Sequence, residues 1–133
     1  MEKLTIESKK QKQIIDITDK VTALVKGQKQ KEGFCHLFLA HTTAALTTSY
    51  IDPKLELEII DAFEVEIPKF TTIRSQFAHD HHVAHLPSHV TAAYFGPSLS
   101  VPYKDGELLL GDFQRIVLVE FNGPKKRQLI ADL

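Results

Sequence analysis

Apolar and polar positions alternate with a period of two near both ends of the chain. In its middle they recur at helical spacing. "LTIES" and "QKQIIDIT" read as short strands in a lysine-rich opening stretch. Thr18 is then placed to cap a helix carrying Val21, Leu24 and Val25, with Gly27 just past its end. "GFCHLFLA" predicts a strand with Cys35, Leu37, Leu39 and His41 on one face and His36, Phe38 and Ala40 on the other. Both faces are largely apolar, so this strand is expected to be central. Asp52 as N-cap and Pro53 at the first helical position open a helix in which Leu55, Ile59, Ile60, Phe63 and Ile67 share a face. "SHVTAAYFG" predicts a short helix from Ser88 to Gly96. "SLSVPY", "ELLLG", "QRIVLVEF" and "KRQLIA" follow as three or four antiparallel strands separated by "KDG" and "NGP" turns. Strands toward the ends and helices toward the middle define an α+β protein, an antiparallel sheet with a few helices packed on one face.

Composition narrows the class without changing that picture. A chain of 133 residues, 43% of them hydrophobic, supports one domain spanning 1–133 with its own core. The net charge of -1 provides no global field toward nucleic acid or anionic lipid, so neither is an expected partner. Cys35 is the only cysteine. An internal disulfide and a thiolate-rich zinc site are therefore excluded, and a reducing, cytoplasmic location is expected. The opening "MEKLTIESKKQKQ" has no apolar core of a signal peptide, and runs such as "IVLVEF" are too short to span a bilayer.

The histidines are distributed unevenly. Five of seven lie between His79 and His89, in "HDHHVAHLPSH". Imidazole is the commonest protein ligand of zinc and related metals, so a divalent metal, zinc first, is the chemistry this crowding points to. Nickel, cobalt and iron also accept imidazole. His41 ends the central strand and is followed by small residues that permit close approach. A histidine there is more often a satisfied core residue, so its role depends on meeting others in space. His79 and His89 flank the cluster, and the irregular chain between them can fold both rings onto one point. His85 and His89 are four apart, but a proline inside a helix costs about 3 kcal/mol, and Pro87 lies between them. Asp80 is a candidate to orient a ligand, while His81, His82 and His85 also read as exposed loop residues. Three histidines without thiolate leave a fourth coordination position open, the arrangement of a catalytic centre.

No dinucleotide fingerprint, phosphate loop, GxSxG elbow or CxxC pair occurs. Cys35 reads as a core residue. In "GPKKR", Lys125 and Lys126 read as solubilising charges, and Arg127, entering a strand, as a candidate phosphate contact.

"HTTAALT" from His41, "PSH" at Pro87 to His89, and "GPSLSVPYKDGELLLGDFQRIVLVEFNGP" resemble the YjbQ family, whose members are described broadly as secondary thiamine-phosphate synthases. "DIT" at Asp16 to Thr18 and "DP" at Asp52 and Pro53 fall where the family pattern has them, so the resemblance spans nearly the whole chain. Gly106, Gly111 and Gln114 at fixed spacing are its most specific part. The resemblance implies a small α+β homotrimer with a histidine pocket near the subunit interface that holds a metal or an anion. It implies His41, His79 and His89 as metal ligands, with Asp80 beside the second. It also implies Thr42, Thr43, Gln114 and Arg127 as contacts to a small phosphorylated substrate. The implied reaction joins an aminopyrimidine diphosphate to a thiazole phosphate and releases pyrophosphate.

Two departures bear on that reaction. Where the family reads "INE", this chain has Thr48 to Tyr50, so a carboxylate able to accept a proton is replaced by a phenol. Where it reads "GTWQ", this chain has Asp112 and Phe113 in "GDFQ". Three readings follow: a metal-assisted enzyme of phosphorylated substrates, a metal- or small-molecule-binding protein without turnover, and a structural trimer whose histidines titrate at subunit contacts.

Overall fold

The computed structural model describes residues 1–66 and 86–133. Its elements are β1 (Glu2–Glu7), β2 (Gln13–Asp16), α1 (Thr18–Lys26), β3 (Glu32–Leu39), β4 (Ala44–Ser49), α2 (Pro53–Glu66), α3 (Leu86–Phe95), β5 (Ser98–Lys104), β6 (Glu107–Leu108), β7 (Arg115–Glu120) and β8 (Lys126–Asp132). The described strands form two antiparallel sheets rather than one. The larger has the order β1-β8-β3-β5-β6, and the smaller the order β2-β7-β4. β3 is the middle strand of the larger sheet, as expected, but only its Cys35, Leu37 and Leu39 face is buried.

The inner faces of the sheets share one core. Leu37 and Leu39 of β3 and Leu129 of β8 meet Leu46 of β4 and Leu118 of β7, and Val21 and Val25 of α1 join them. The other face of the small sheet is also covered. Val117, Val119 and Phe121 pack with Ala45 and with Ala92 of α3, and Phe95 meets Phe121 at 5.7 Å between ring centroids. β7 is therefore buried on both faces, which accounts for its unbroken apolar run "IVLV". Phe34 and Phe38 stand on the outer face of the large sheet, 56% and 48% exposed.

The helices follow the sequence with two refinements. α1 starts at Thr18, but its cap comes from Asp16. The Asp16 carboxylate accepts the Thr18 backbone N–H at 2.9 Å and the Thr18 hydroxyl at 2.6 Å. Arg115 donates to the other Asp16 oxygen at 2.8 Å, which joins the start of α1 to β7. Burial raises the Asp16 carboxyl, but its bonds to Thr18 and Arg115 outweigh that and hold it below its ordinary value. Gly27 follows α1 in a right-handed conformation. α2 begins at Pro53 as expected, with Asp52 accepting the Lys54 N–H at 2.8 Å. Gly96 ends α3 with φ +92°, a conformation glycine adopts without strain.

Candidate functional site

His41 follows β3 at the point where its ladder with β8 gives out. Ala40 N–H still donates to the Gln128 carbonyl, at 3.3 Å. One residue on, the imidazole replaces the backbone as acceptor: Gln128 N–H donates to His41 Nε2 at 2.8 Å. The ring is half-buried at the rim of the sandwich, and Thr42 beside it is exposed.

Thr43 turns inward and meets a buried ion pair. Arg127 on β8 donates through Nε to Glu120 Oε2 at 2.8 Å and through Nη2 to Glu120 Oε1. The same Nη2 donates to Thr43 Oγ1 at 2.9 Å. Glu120 is 0% and Arg127 2% exposed. Alternation explains why they face each other. Ile116, Leu118 and Glu120 share the inward face of β7, and Arg127, Leu129 and Ala131 that of β8. Burial raises the Glu120 carboxyl, yet the Arg127 hydrogen bonds, the Asn122 N–H, Ser8 and the Arg127 charge overcome it and hold the group below its ordinary value. Arg127, read from the sequence as a phosphate contact, thus directs these donors at Glu120 and Thr43 rather than at solvent.

His41 is influenced by this cluster. Burial lowers its pKa first, and the charge of Arg127 lowers it further. Glu120 raises it and Lys125 lowers it, and the balance leaves the imidazole neutral at neutral pH. The charges of two cations and one anion therefore act on this ring.

The first turn of α3 is tied to the same end of the fold. Ser88 donates to the Phe121 carbonyl at 2.9 Å, and Phe121 N–H donates to the Thr43 carbonyl at 3.1 Å. His89 lines an open groove of about 540 Å³ along α3 with Val90, Ala93 and Tyr94. His79, Asp80, His81, His82 and His85 lie outside the described residues. Among the described residues, no three His, Cys, Asp or Glu side chains come together in a way that would hold a metal ion.

The remaining candidates sit elsewhere. Gln114 accepts the Gly111 N–H at 3.1 Å and donates to Thr48 Oγ1 at 3.0 Å, fastening the loop before β7 to the far part of β4. Thr48 is five residues along β4 from Thr43, roughly 17 Å at strand rise. Within one chain Gln114 therefore does not meet His41. Tyr50 and Phe113, both departures from the family pattern, meet edge-on there at 5.9 Å. His36 stands on the outer face of the large sheet, its Nδ1 2.7 Å from Ser100 Oγ. Cys35 is in the core, where burial and then Asp132 push its thiol up to about 11, so it supplies no thiolate at neutral pH.

Sequence reasoning missed Glu120 and Gln128. Glu120 had a usable signal, a carboxylate on the inward register of an apolar strand. Gln128 had none, because its contribution is a backbone N–H.

Two facing antiparallel sheets with a neutral histidine over a buried Arg–Glu pair define a small α+β protein with one polar end. The chain belongs to the YjbQ family: the family model described as UPF0047 protein YjbQ-like matches residues 2–133. A UPF0047 protein of Archaeoglobus fulgidus is 33% identical over 128 residues, 96% of each chain. The UPF0047 protein YjbQ of Salmonella typhimurium is 35% identical over 123 residues, 88% of this chain and 85% of its own. A crystal structure of a yjbq/upf0047 family protein from Clostridium acetobutylicum superposes with a TM-score of 0.85 at 26% identity, covering 99% of this chain and 98% of that one. A YbjQ-like protein of Sulfolobus solfataricus gives a TM-score of 0.86 at 26% identity, covering 98% and 92%.

Proposed function

We propose that this protein binds a small phosphorylated molecule at the rim occupied by His41 and Thr42. The observation that carries this reading is the hydrogen bond from Gln128 N–H that holds the half-buried His41 ring beside the start of β8, where the charges of Arg127 and Lys125 act on it, with Thr42 exposed beside it. Glu120 neutralises much of Arg127, so the site favours an anion modestly and relies on directed hydrogen bonds for the rest. Thr43, Arg127 and Glu120 act from beneath by fixing the His41 loop. The particular reaction we propose to test is the joining of an aminopyrimidine diphosphate to a thiazole phosphate with release of pyrophosphate. The alternative is binding without turnover, which the phenol of Tyr50 in place of a carboxylate favours.

Calorimetric titration with pyrophosphate tests the binding reading. Saturable binding is expected, weakened about tenfold or more in His41→Ala, the usual worth of a hydrogen bond to a charged group. No saturation by pyrophosphate or inorganic phosphate at millimolar concentration would reject it.

A second reading places zinc or another divalent metal on His41, His79 and His89. The Ser88–Phe121–Thr43 hydrogen bonds, which tie the start of α3 to the His41 loop, support it. Its cost is set by the His41 ring: Nε2 already accepts the Gln128 N–H.

We also propose a homotrimer that uses the outer face of the large sheet. Phe34 and Phe38 there leave aromatic area whose burial is favourable by roughly 25 cal/mol per Å². Sedimentation should show trimers of the parent chain and monomers of Phe34→Asp/Phe38→Asp. A doubly substituted chain that still sediments as a trimer would place the interface elsewhere.

A further inference from the structure

The hydrogen bond at the end of the β3–β8 ladder determines what His41 can offer a ligand. A neutral imidazole has one N–H and one lone-pair nitrogen. Gln128 N–H is a donor and cannot accept, and it lies 2.8 Å from Nε2. The lone pair is therefore on Nε2 and the proton on Nδ1. A backbone amide imposes this tautomer, and no side-chain rotation elsewhere relieves it.

Metal binding needs the opposite arrangement. A ligating histidine gives its lone pair to the metal and donates the other N–H to an acceptor such as a carbonyl or carboxylate. Coordination through Nδ1 would move the proton to Nε2, directly against the Gln128 N–H, donor to donor. Coordination through Nε2 would displace the amide and leave it unpaired at the rim of the sheet. The surrounding charge adds to the mismatch, since the charges of Arg127 and Lys125 both disfavour a cation at the ring and Glu120 is already paired with Arg127. Neither nitrogen fits a cation.

An oxygen fits. We infer that His41 is a fixed, neutral Nδ1–H donor, set by the Gln128 backbone amide, that hydrogen-bonds a phosphoryl oxygen of the ligand and does not coordinate metal. The inference rests on the proposed binding of a phosphorylated molecule and narrows it to a contact that needs no metal at this residue. The Gln128 amide is a positioning group: it holds the ring and touches no ligand.

Nitrogen-15 NMR of the histidine rings in the full chain tests this directly, with His41→Ala assigning the signal. The expected spectrum has His41 protonated on Nδ1 at neutral pH. Pyrophosphate should shift the Nδ1 resonance, and one equivalent of zinc should leave both ring nitrogens unmoved. His41→Asn, which keeps an N–H near the Nδ1 position and cannot act as an imidazole ligand, should retain pyrophosphate affinity within about threefold, while His41→Ala loses about tenfold or more. A proton on Nε2, or zinc shifting the His41 nitrogens, would overturn the inference. The binding reading would survive either result if pyrophosphate still saturated the protein. Pyrophosphate that saturates without moving Nδ1 would also overturn it, and a lack of any pyrophosphate binding would remove both.

Discussion

Arg127→Met is expected to lower the folding free energy by about 3–5 kcal/mol, the usual consequence of removing one partner from a buried ion pair. The guanidinium is 2% exposed and satisfies both oxygens of a fully buried carboxylate as well as the Thr43 hydroxyl. Methionine fills similar volume but leaves Glu120 charged among Leu118, Leu129 and their neighbours. A denaturant titration at pH 7 reads the loss. Arg127→Met/Glu120→Leu should recover much of it, because a well-packed apolar pair often replaces a buried ion pair at little cost. A single variant losing less than about 1 kcal/mol would show that the pair does not anchor this end of the fold.

The pH dependence supplies a second reading of the same pair. In the parent chain the folded value of Glu120 lies below its ordinary value near 4.5. The native state therefore binds fewer protons than the unfolded chain. The stability this provides is whole above that value and is lost as pH falls through the lower folded one. Without Arg127, burial dominates and the folded value rises above the unfolded one. Acidification toward pH 4.5 then stabilises the variant relative to its state at pH 7. The gap between the parent and Arg127→Met should accordingly narrow as pH is lowered. His41 adds a smaller dependence in the same direction for the parent. Its folded value is below the ordinary 6.5, so its contribution is intact above pH 6.5 and is lost as pH falls through the folded value.

The buried pair also shows what the sequence revealed and what it hid. Period-two alternation put Cys35, Leu37 and Leu39 on one face of β3, the face the structure buries, and Asp52–Pro53 marked the start of α2, because both signals are local. The division into two sheets was hidden, since alternation fixes which face is buried but not which strands pair. β7 makes the point: its neighbours β2 and β4 lie about a hundred and about seventy residues earlier in the chain. His41 was legible as a polar residue at a strand end. Its tautomer was not, because Gln128 is 87 residues away and contributes a group every residue but proline carries. Gln114 shows the reverse. The resemblance implied it as a substrate contact, and within the chain its hydrogen bonds hold a loop at the other end of β4.

Gly123→Ala is the second substitution expected to have a large effect, and the reason is space rather than backbone conformation. A Cβ at Gly123 would meet the Lys10 carbonyl oxygen at 2.2 Å, Ser8 Oγ at 2.6 Å and Glu120 Cγ at 2.9 Å. The nearest of these is backbone, which cannot rotate away, and Gly123 N–H is itself bonded to the Gln11 carbonyl at 2.9 Å. Relief requires the β1–β2 connection to move off the turn before β8. That shift drags Ser8, which accepts the Lys125 N–H at 2.9 Å and also bonds Glu120. Overpacking of this kind costs about 1–3 kcal/mol, and the backbone clash puts Gly123→Ala at or above the upper end. Gly27→Ala is the control. Its Cβ would have the Leu24 carbonyl at 3.5 Å as nearest neighbour, with φ at -78°, so alanine fits and should stabilise by about 0.4–1 kcal/mol through the unfolded state. Opposite signs for one chemical change at two glycines, read from denaturation midpoints, are the expected result. If Gly123→Ala is as stable as the parent chain, the β1–β2 connection is not packed against this turn, and the Ser8 support of Glu120 goes with it.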